Sequence, residues 1–530
     1  MQNVVFKKQI KGDIITLKLV YFTHLKITRR IAMNNTFFCA RENGKLHRPR
    51  TILTGFGFMA SSIAWAIYDP YITKILEKLL NASETVTQWS AKLNEMFPVL
   101  AKFAESQGEN VVTEAGGITL VPLFIGIIMT FDNIFGVIFQ PTFGKLSDRC
   151  HSKLGKRRPF IVFGAPVSAF LFAVIPWVAL NGSLPITMLF IILFVFSMSL
   201  WRAPVVALMP ALTPPALRSE GNAIINLMGG IGSAIGMVAG TVVGAIYTGI
   251  TGVKITTENE QVAFPYVFLT GAIVMIIGML VILFFVKEPS SKLEAVAAQN
   301  KAADAAARAQ AEKEAKKAAK DAQKAQKLSK SERTSLIFML GGLFFLFCGT
   351  NAITTFFALF AAEVLGKTTS EATIMTTLFA VCSAVAAIPA GYMGKKIGRK
   401  KTILIGLAAF MGAFLLYIAT KSEAIIWVVL ILGGFANMFI TVNTLPLVLD
   451  IGGIDRVGTF TGYYYTATFS AQIASPIIYG VVRMLSGTYM SLFIYSPIMF
   501  ILSMLCIFFV KHGEAVPENI VKAAKEANED

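Results

Sequence analysis

The feature that most constrains this chain is a series of apolar segments, each long enough to cross a lipid bilayer as a helix. A spanning helix needs about 20 mostly apolar residues. Twelve segments of that kind follow one another along the sequence, near residues 52–76, 117–143, 159–181, 185–210, 222–249, 264–286, 335–362, 372–393, 402–420, 424–449, 460–483 and 488–510. We therefore expect an all-α membrane protein whose twelve transmembrane helices form two pseudo-symmetric six-helix bundles.

The composition agrees with a chain that uses lipid as its solvent. Hydrophobic residues make up 55% of it and charged residues only 15%, whereas about 25% is usual in a soluble domain. The net charge of +17 does not indicate nucleic acid, because the basic residues cluster between the apolar segments as they do in cytoplasmic loops. The five cysteines are scattered without metal or redox spacing, so no metal site is predicted.

The short loops predict the orientation of the spans. Residues 145–158 hold six basic residues against one acid, and residues 395–401 hold five basic residues and no acid. These loops follow the second and eighth spans, and the positive-inside rule places both in the cytoplasm. We expect both termini to be cytoplasmic, in a multi-pass protein of a cell (inner) membrane.

Changes in composition predict five regions along the chain. Between the bundles lies an Ala- and Lys-rich stretch with almost no larger apolar residue, which indicates an exposed tether; binding of a partner is the alternative role for it. The predicted regions are a cytoplasmic tail (1–50), the N-terminal bundle (51–287), the linker (288–334), the C-terminal bundle (335–511) and a second cytoplasmic tail (512–530).

Glycine- and arginine-containing loops occur at matching places in the two halves, after the second and eighth spans. Glycine permits tight turns between helices, and arginine can pair with an acid or with helix C-terminal carbonyls. One such loop could be a simple positive-inside anchor, but two at matching places favour a cytoplasmic gate. The gate residues that we predict are Gly144, Asp148, Gly155, Arg157, Arg158, Gly391, Gly398 and Arg399.

The fifth span carries a glycine at every fourth position, at Gly232, Gly236, Gly240 and Gly244. In lipid, helices associate through close van der Waals packing, which small residues allow. This stripe predicts a close helix–helix contact.

Polar residues inside the spans indicate a central site. In the first span, Trp65, Tyr68 and Asp69 share one helix face. An aromatic ring beside an acid suits a sugar, which has an apolar face and a rim of hydroxyl groups. The second half offers Asn351, Asn443 and Gln472 as further substrate contacts, although each taken singly fits a helix–helix hydrogen bond better. Asn133 of the second span and Arg202 of the fourth complete the predicted substrate-binding set.

Two other spans carry charges, at Asp132, next to Asn133, and at Arg202. A charge at mid-membrane costs at least ~2.5–3.5 kcal/mol, so it should face a cavity or a partner. A carboxylate that is buried in one state and meets Arg202 in another would take up and release a proton. Asp69 and Asp132 are therefore the predicted proton-coupling residues. A static buried ion pair is the alternative.

A longer run of residues resembles a known family. Residues 140–160, QPTFGKLSDRCHSKLGKRRPF, look like the signature of sucrose/proton symporters. That branch belongs to the glycoside–pentoside–hexuronide:cation symporters of the major facilitator superfamily. The Trp201-Arg202-Ala203 stretch looks like the Arg-Ala pair of the same branch, whose arginine is held to bind sugar. The resemblance implies a monomeric secondary transporter that carries a sucrose- or maltose-like sugar with protons by alternating access, without a cofactor.

Some positions depart from the family pattern. Melibiose-type carriers have two aspartates in the second span for sodium, where this chain has Gly136 and Gln140, so sodium coupling is less expected than proton coupling. Plant-type sucrose carriers have an acid before their arginine, but no acid lies between Leu180 and Arg202. The proton-coupling role therefore falls to Asp69 or Asp132.

Three other classes of function remain as alternatives. A proton-driven exporter of another small molecule would typically carry a Gly-Pro motif in the fifth span, but no proline occurs between Pro215 and Pro265. A sugar sensor that does not transport could signal through the linker 288–334, but the linker has no recognisable catalytic or docking motif. An enzyme is disfavoured, because the sequence has no His/Cys cluster, nucleophile motif or phosphate loop. The expected partners are a small sugar and the lipid bilayer, with no nucleic acid.

Overall fold

The computed structural model describes residues 37–41, 45–107, 117–150, 152, 154–214, 217–288, 329–452 and 457–513. Most of the predicted linker and of both predicted tails lies outside these residues. The first half contains six long helices and a short helical hairpin, which are α1 (Arg48–Asn81), α2 (Glu84–Met96), α3 (Pro98–Gln107), α4 (Val121–Arg149), α5 (Arg158–Leu180), α6 (Leu184–Leu212), α7 (Arg218–Thr251) and α8 (Phe264–Phe285).

The second half contains six more long helices, which are α9 (Lys330–Leu365), α10 (Thr369–Ile397), α11 (Arg399–Thr420), α12 (Glu423–Gly452), α13 (Val457–Ser486) and α14 (Leu492–Phe508). The described residues therefore form twelve long helices, at the twelve positions that the sequence predicts. Eleven of them are long and apolar enough to cross a membrane. The exception is α13, which is as long as the others but contains many Tyr, Thr and Ser residues.

Local chemistry sets several helix boundaries. At the start of α9 the Ser329 side chain accepts from the Glu332 N–H while the Glu332 carboxylate accepts from the Ser329 N–H. This capping box supplies partners that the first turn of a helix lacks. As a result, α9 begins inside the stretch predicted as linker. Thr368 and Glu371 form the same motif at the start of α10.

The packing of the long helices repeats between the halves. In the first half α1 packs on α7 and α8, α4 on α6, and α5 on α6 and α8. In the second half α9 packs on α13 and α14, α10 on α12, and α11 on α12 and α14. The halves meet where α4 contacts α13, α7 contacts α10 and α1 contacts α9. This repetition confirms the predicted pair of six-helix bundles.

The predicted glycine stripe in the fifth span makes the contact between α7 and α1. A Cβ atom built on Gly232 would overlap the carbonyl oxygen of Met59, and one on Gly236 would lie 2.8 Å from the Cβ atom of Ala66. Close packing at these two positions thus requires glycine, as the spacing predicts.

The two halves touch at one end of the bundle and separate at the other. We call the side that carries Arg157 and Arg399 the basic side, and the opposite side the far side. On the far side a Cβ atom on Gly126 of α4 would overlap the carbonyl oxygen of Pro476 of α13, and one on Gly480 would lie 2.7 Å from that of Pro122. The helix backbones are therefore in direct contact there.

The same faces of α4 and α13 diverge toward the basic side. Gly144 lies about five helical turns beyond Gly126, and Gly462 about five turns before Gly480, so each pair shares a helix face. A Cβ atom built on Gly144 or Gly462 would meet no atom of the described residues within 4 Å. The seam between α4 and α13 is closed on the far side and open on the basic side.

Candidate functional site

Three helices of the first half bring ionisable side chains together. Asp69 lies on α1, Asp132 on α4 and Arg202 on α6. Their charges are close enough to interact with one another. Among the described residues, none of the three takes part in an ion pair. The cluster therefore has one cation facing two acids without a fixed salt bridge.

Aromatic rings form a wall beside this cluster. The ring of Trp65 lies 5.3 Å from that of Tyr68, and the ring of Phe194 on α6 lies 5.2 Å from Tyr68. The guanidinium carbon of Arg202 lies 5.6 Å from the centre of the Trp65 ring. Tyr68 is only 2% exposed, so it supports the wall from within the first half.

The Trp65 indole is left with an unused donor. Its Nε1–H is buried and has no hydrogen-bond partner among the described residues. A buried donor without a partner costs about 1–3 kcal/mol, and such a group often serves a ligand or an ordered water.

A cavity of about 190 Å³ opens beside Asp69, between the two halves. Its first-half wall comes from α1 and α7, and its second-half wall from α9 and α10. The second-half wall carries three threonine hydroxyls, which each donate to a backbone carbonyl of their own helix and keep lone pairs to accept from a ligand. The lining residues are Ala66, Asp69, Pro70, Met237, Thr354, Phe357, Ala358, Ala372, Thr373 and Thr376.

The four predicted amide side chains take different positions. Asn443 is buried and donates to the carbonyl oxygens of Ala390 (3.2 Å) and Phe439 (2.9 Å), so it joins α12 to α10. We leave Asn443 out of the candidate site, because both of its N–H groups are used. The Asn351 amide nitrogen is buried without a partner in the described part of the chain. Asn133 donates its backbone N–H to Asp132 Oδ1 at 2.6 Å, and Gln472 is half-buried on α13.

The predicted gate residues of the first half lie in the last turns of α4 (Gly144 and Asp148), at the start of α5 (Arg157 and Arg158) and between these helices (Gly155). Arg157 pairs with Asp148, and its guanidinium also lies 3.8 Å from the carboxylate of Glu288. Glu288 accepts from the backbone N–H of Arg157 at 3.0 Å, and Arg158 donates to the Leu283 carbonyl at the end of α8. These contacts tie three helix ends together within one half.

Glu288 is a part of this cluster that the sequence reasoning missed, since the residue looked like the start of the linker. Burial raises the pKa of the Glu288 carboxyl, against the lowering effect of the Arg157 and Arg158 N–H groups and of the Arg157 charge. Gly155 has φ +108°, and a Cβ atom there would overlap the Glu288 carboxylate. The glycine of the motif is needed both for its backbone conformation and for this approach.

The second predicted gate loop forms a simpler contact. Arg399 at the start of α11 pairs with Asp450 near the end of α12. Gly398 between α10 and α11 has φ +102°, a conformation that glycine adopts readily. Gly391 lies about two turns earlier on α10, and a Cβ atom built on it would lie 3.8 Å from the Val442 side chain of α12. As in the first half, the described contacts stay within one bundle.

Contacts between the halves lie on the far side. Glu260, which precedes α8 and is 2% exposed, accepts from the Thr369 backbone N–H at 2.6 Å and from its hydroxyl at 3.1 Å. The Tyr71 and Ser370 hydroxyls are 3.1 Å apart. The capping box of α10 occupies the N–H groups of Thr368 and Glu371, so the other half of the molecule supplies the partner for Thr369. Sequence reasoning gave no signal for Glu260.

Among the described residues, no group of three or more His, Cys, Asp or Glu side chains is arranged to hold a metal ion.

Comparison with known proteins gives a family and a fold. The family described as "MFS/sugar transport protein" matches residues 117–459. No curated sequence matches the chain.

Several solved structures share the architecture. The xylose transporter XylE from E. coli, in a partially occluded inward open conformation, is 16% identical with a TM-score of 0.54, over 87% of this chain and 97% of that one. The nucleoside transporter NupG is 14% identical with a TM-score of 0.55, over 87% and 100%. A D-xylose-proton symporter is 14% identical with a TM-score of 0.53, over 88% and 96%. At these identities the likeness is one of fold.

Proposed function

The chain belongs to the MFS/sugar transport protein family, and from that premise we propose that it carries a sucrose- or maltose-like sugar in symport with protons. The family and the fold are those of multi-pass membrane transporters for small molecules. The observation that carries the finer proposal is the convergence of Asp69, Asp132 and Arg202 beside an aromatic wall and a cavity between the halves.

The chemistry of this site suits a sugar. The Trp65 ring offers an apolar face, and the Asp69 carboxylate can accept from hydroxyl groups. The N–H groups of Trp65 and Asn351 have no acceptor in the described part of the chain, and sugar oxygens would supply one. Thr354 and Thr373 add acceptors from the second half. A polyhydroxyl ligand thus satisfies donors and acceptors on both sides of the seam.

The arrangement of the halves supports alternating access. Inverted or parallel repeats that rock about a central site are the usual architecture of such carriers. The seam between α4 and α13 is closed at Gly126 and open at Gly144. We assign this state as open to the cytoplasm, because the basic loops lie on the open side. Rocking would separate Gly126 from Pro476 and bring the ends at Gly144 and Gly462 together.

The proton step rests on the two carboxylates. In the proposed cycle, Asp69 or Asp132 takes up a proton from outside. Its carboxyl group is then neutral while the protein changes from the outward-open to the inward-open state. Exposure to the cytoplasm and the nearby Arg202 charge then favour the carboxylate and release the proton. Arg202 has no fixed ion-pair partner among the described residues, so it can also bind sugar.

Uptake into vesicles tests the function directly. With an inwardly directed proton gradient, we expect purified protein in vesicles to accumulate one member of a disaccharide panel. A protonophore should abolish the accumulation, while removal of sodium should leave it unchanged, because the site holds proton-titratable carboxylates and departs from the sodium pattern. Sugar binding without uptake would instead favour a sensor, and sodium-dependent uptake would contradict the proton coupling.

The contact between Glu260 and Thr369 should hold the far side closed in this cycle. Hydrogen bonds to charged groups contribute about 1.5–3 kcal/mol each, and 1.4 kcal/mol corresponds to a tenfold change in a population. We therefore expect Glu260→Ala to raise the population open on the far side by about tenfold or more. The measurement is the rate at which a membrane-impermeant thiol reagent, added from the far side, labels Met237→Cys in the cavity.

The matched control for this experiment is Glu258→Ala. Glu258 is an exposed acid of the same loop, and its replacement should leave the labelling rate unchanged. Equal rates in the Glu260→Ala and Glu258→Ala backgrounds would mean that the Glu260 contact does not hold the halves together.

A further inference from the structure

The hairpin formed by α2 and α3 lies between the first two spans, where the sequence predicts no spanning helix. The structure fixes its position through two anchors. The Asn94 side chain pairs with the backbone of Ile118, accepting at 2.8 Å and donating at 3.2 Å. Ala104 of α3 is buried against Ile118 and Met484. The hairpin therefore lies on the far side, at the level where the apolar parts of α4 and α13 end.

One side of α3 is apolar and exposed. Val99, Leu100 and Phe103 are 79%, 42% and 53% exposed. Phe103 follows Val99 by four residues and Leu100 by three, so the three side chains share an arc of about 100° around the helix. Ala101 and Ala104 on the adjoining face pack toward the protein. The exposed apolar side is thus not the side by which α3 attaches to the bundle.

The polar side chains of α3 occupy the remaining side. Lys102 and Glu105 are exposed and project away from Phe103 by about 100° or more at 100° per residue. An apolar face, a packed face and a charged face therefore follow one another around the helix. A helix that lies in the plane of a membrane surface has this arrangement.

We propose that α3 rests on the lipid surface, with Val99, Leu100 and Phe103 inserted among the headgroups and upper acyl chains of the far leaflet. The choice of lipid as the occupant rests on the level of the hairpin. Ile118 lies just before α4, a helix long and apolar enough to cross a membrane, and Met484 lies near the end of α13. The bundle also exposes apolar side chains toward the same end, among them Ile478 in the last three turns of α13. Trp89 of α2, half exposed and 6.0 Å from the Phe124 ring, fits the aromatic belt of a membrane interface.

Site-specific quenching in vesicles tests this placement. In full-length protein without its native cysteines, a fluorophore is attached to Val99→Cys or, as the matched control on the same helix, to Glu105→Cys. We expect quenchers attached to lipid to quench the label at position 99 several-fold more than the label at 105. Iodide in the water should show the reverse order. Both positions are exposed, so neither label should disturb folding.

Two results would overturn the proposal. Equal iodide quenching at both positions would mean that the apolar face is open to water. The second result is a label at position 99 that, in detergent, is protected from iodide only at high protein concentration and cross-links to another copy. It would mean that a second copy of the protein covers the apolar face. Neither result depends on which solute the protein carries, so the placement of α3 is tested separately from the proposed transport.

Discussion

Replacing Asp69 by asparagine is expected to abolish uphill uptake of sugar. The asparagine keeps the size and hydrogen-bonding ability of the side chain but cannot gain or lose a proton. Asp69 lines the inter-half cavity and its charge interacts with that of Arg202, at a depth where an ionisable side chain is costly unless it has a function. Exchange of labelled for unlabelled sugar without a gradient should persist, because it needs no net proton movement.

The Asp132→Asn variant, tested in the same vesicles, decides how the proton-coupling role is divided. If Asp132→Asn alone loses accumulation, the proton is carried there and Asp69 has only a sugar-binding role. Normal accumulation by Asp69→Asn would end the assignment of Asp69 to proton coupling. Glu258→Gln, which changes an exposed acid, controls for the effect of removing a negative charge from the protein.

Replacing Arg202 by alanine is expected to raise the KM for sugar by about 10–100-fold. One hydrogen bond from a charged group contributes about 1.5–3 kcal/mol, and each 1.4 kcal/mol is a factor of ten. The loss also removes the cation that faces Asp69 and Asp132 and the contact with the Trp65 ring. Initial uptake rates over a range of sugar concentrations measure the effect.

The control for this prediction is Arg218→Ala. Arg218 is exposed at the start of α7 and donates to the Pro210 carbonyl at 3.2 Å, away from the cavity. Its replacement should leave the KM unchanged. If Arg202→Ala also keeps the wild-type KM while protein yield falls, Arg202 is a structural residue and the sugar site must lie elsewhere.

The charged members of the candidate site could be found in the sequence because ionisable residues are rare inside apolar spans. Asp69, Asp132 and Arg202 were the acids and the arginine of the first, second and fourth spans, and α1, α4 and α6 bring their charges within reach of one another. The same reasoning found Trp65, since it shares a helix face with Asp69.

The uncharged members could not be found in this way, because Thr and Asn are frequent in membrane helices and most of them bond to backbone. Asn443 and Asn351 illustrate the difficulty. Both are asparagines within spans of the second half, yet Asn443 donates to two carbonyl groups and the Asn351 amide nitrogen has no partner among the described residues. Thr354 and Thr373 gave no signal at all and became candidates only because the halves enclose a cavity there.

The contact between Glu260 and Thr369 was also beyond sequence reasoning. The two residues are far apart along the chain, and each lies in a short connection between spans. Only the docking of the two halves brings the carboxylate to the start of α10, where the capping box leaves one N–H for it.

By itself, the sequence determined the number of long helices, their limits to within a few residues and the helix faces that carry charge or glycine. These properties follow from local rules, since hydrophobic length and the 3.6-residue period act within a single helix. The tertiary structure decided which end of the bundle is closed. Gly126 and Gly144 lie on the same face of α4, so the sequence allows close contact with α13 at either end. Which contact forms depends on the rigid-body arrangement of the two halves, and two such arrangements of one sequence can differ by only a few kcal/mol.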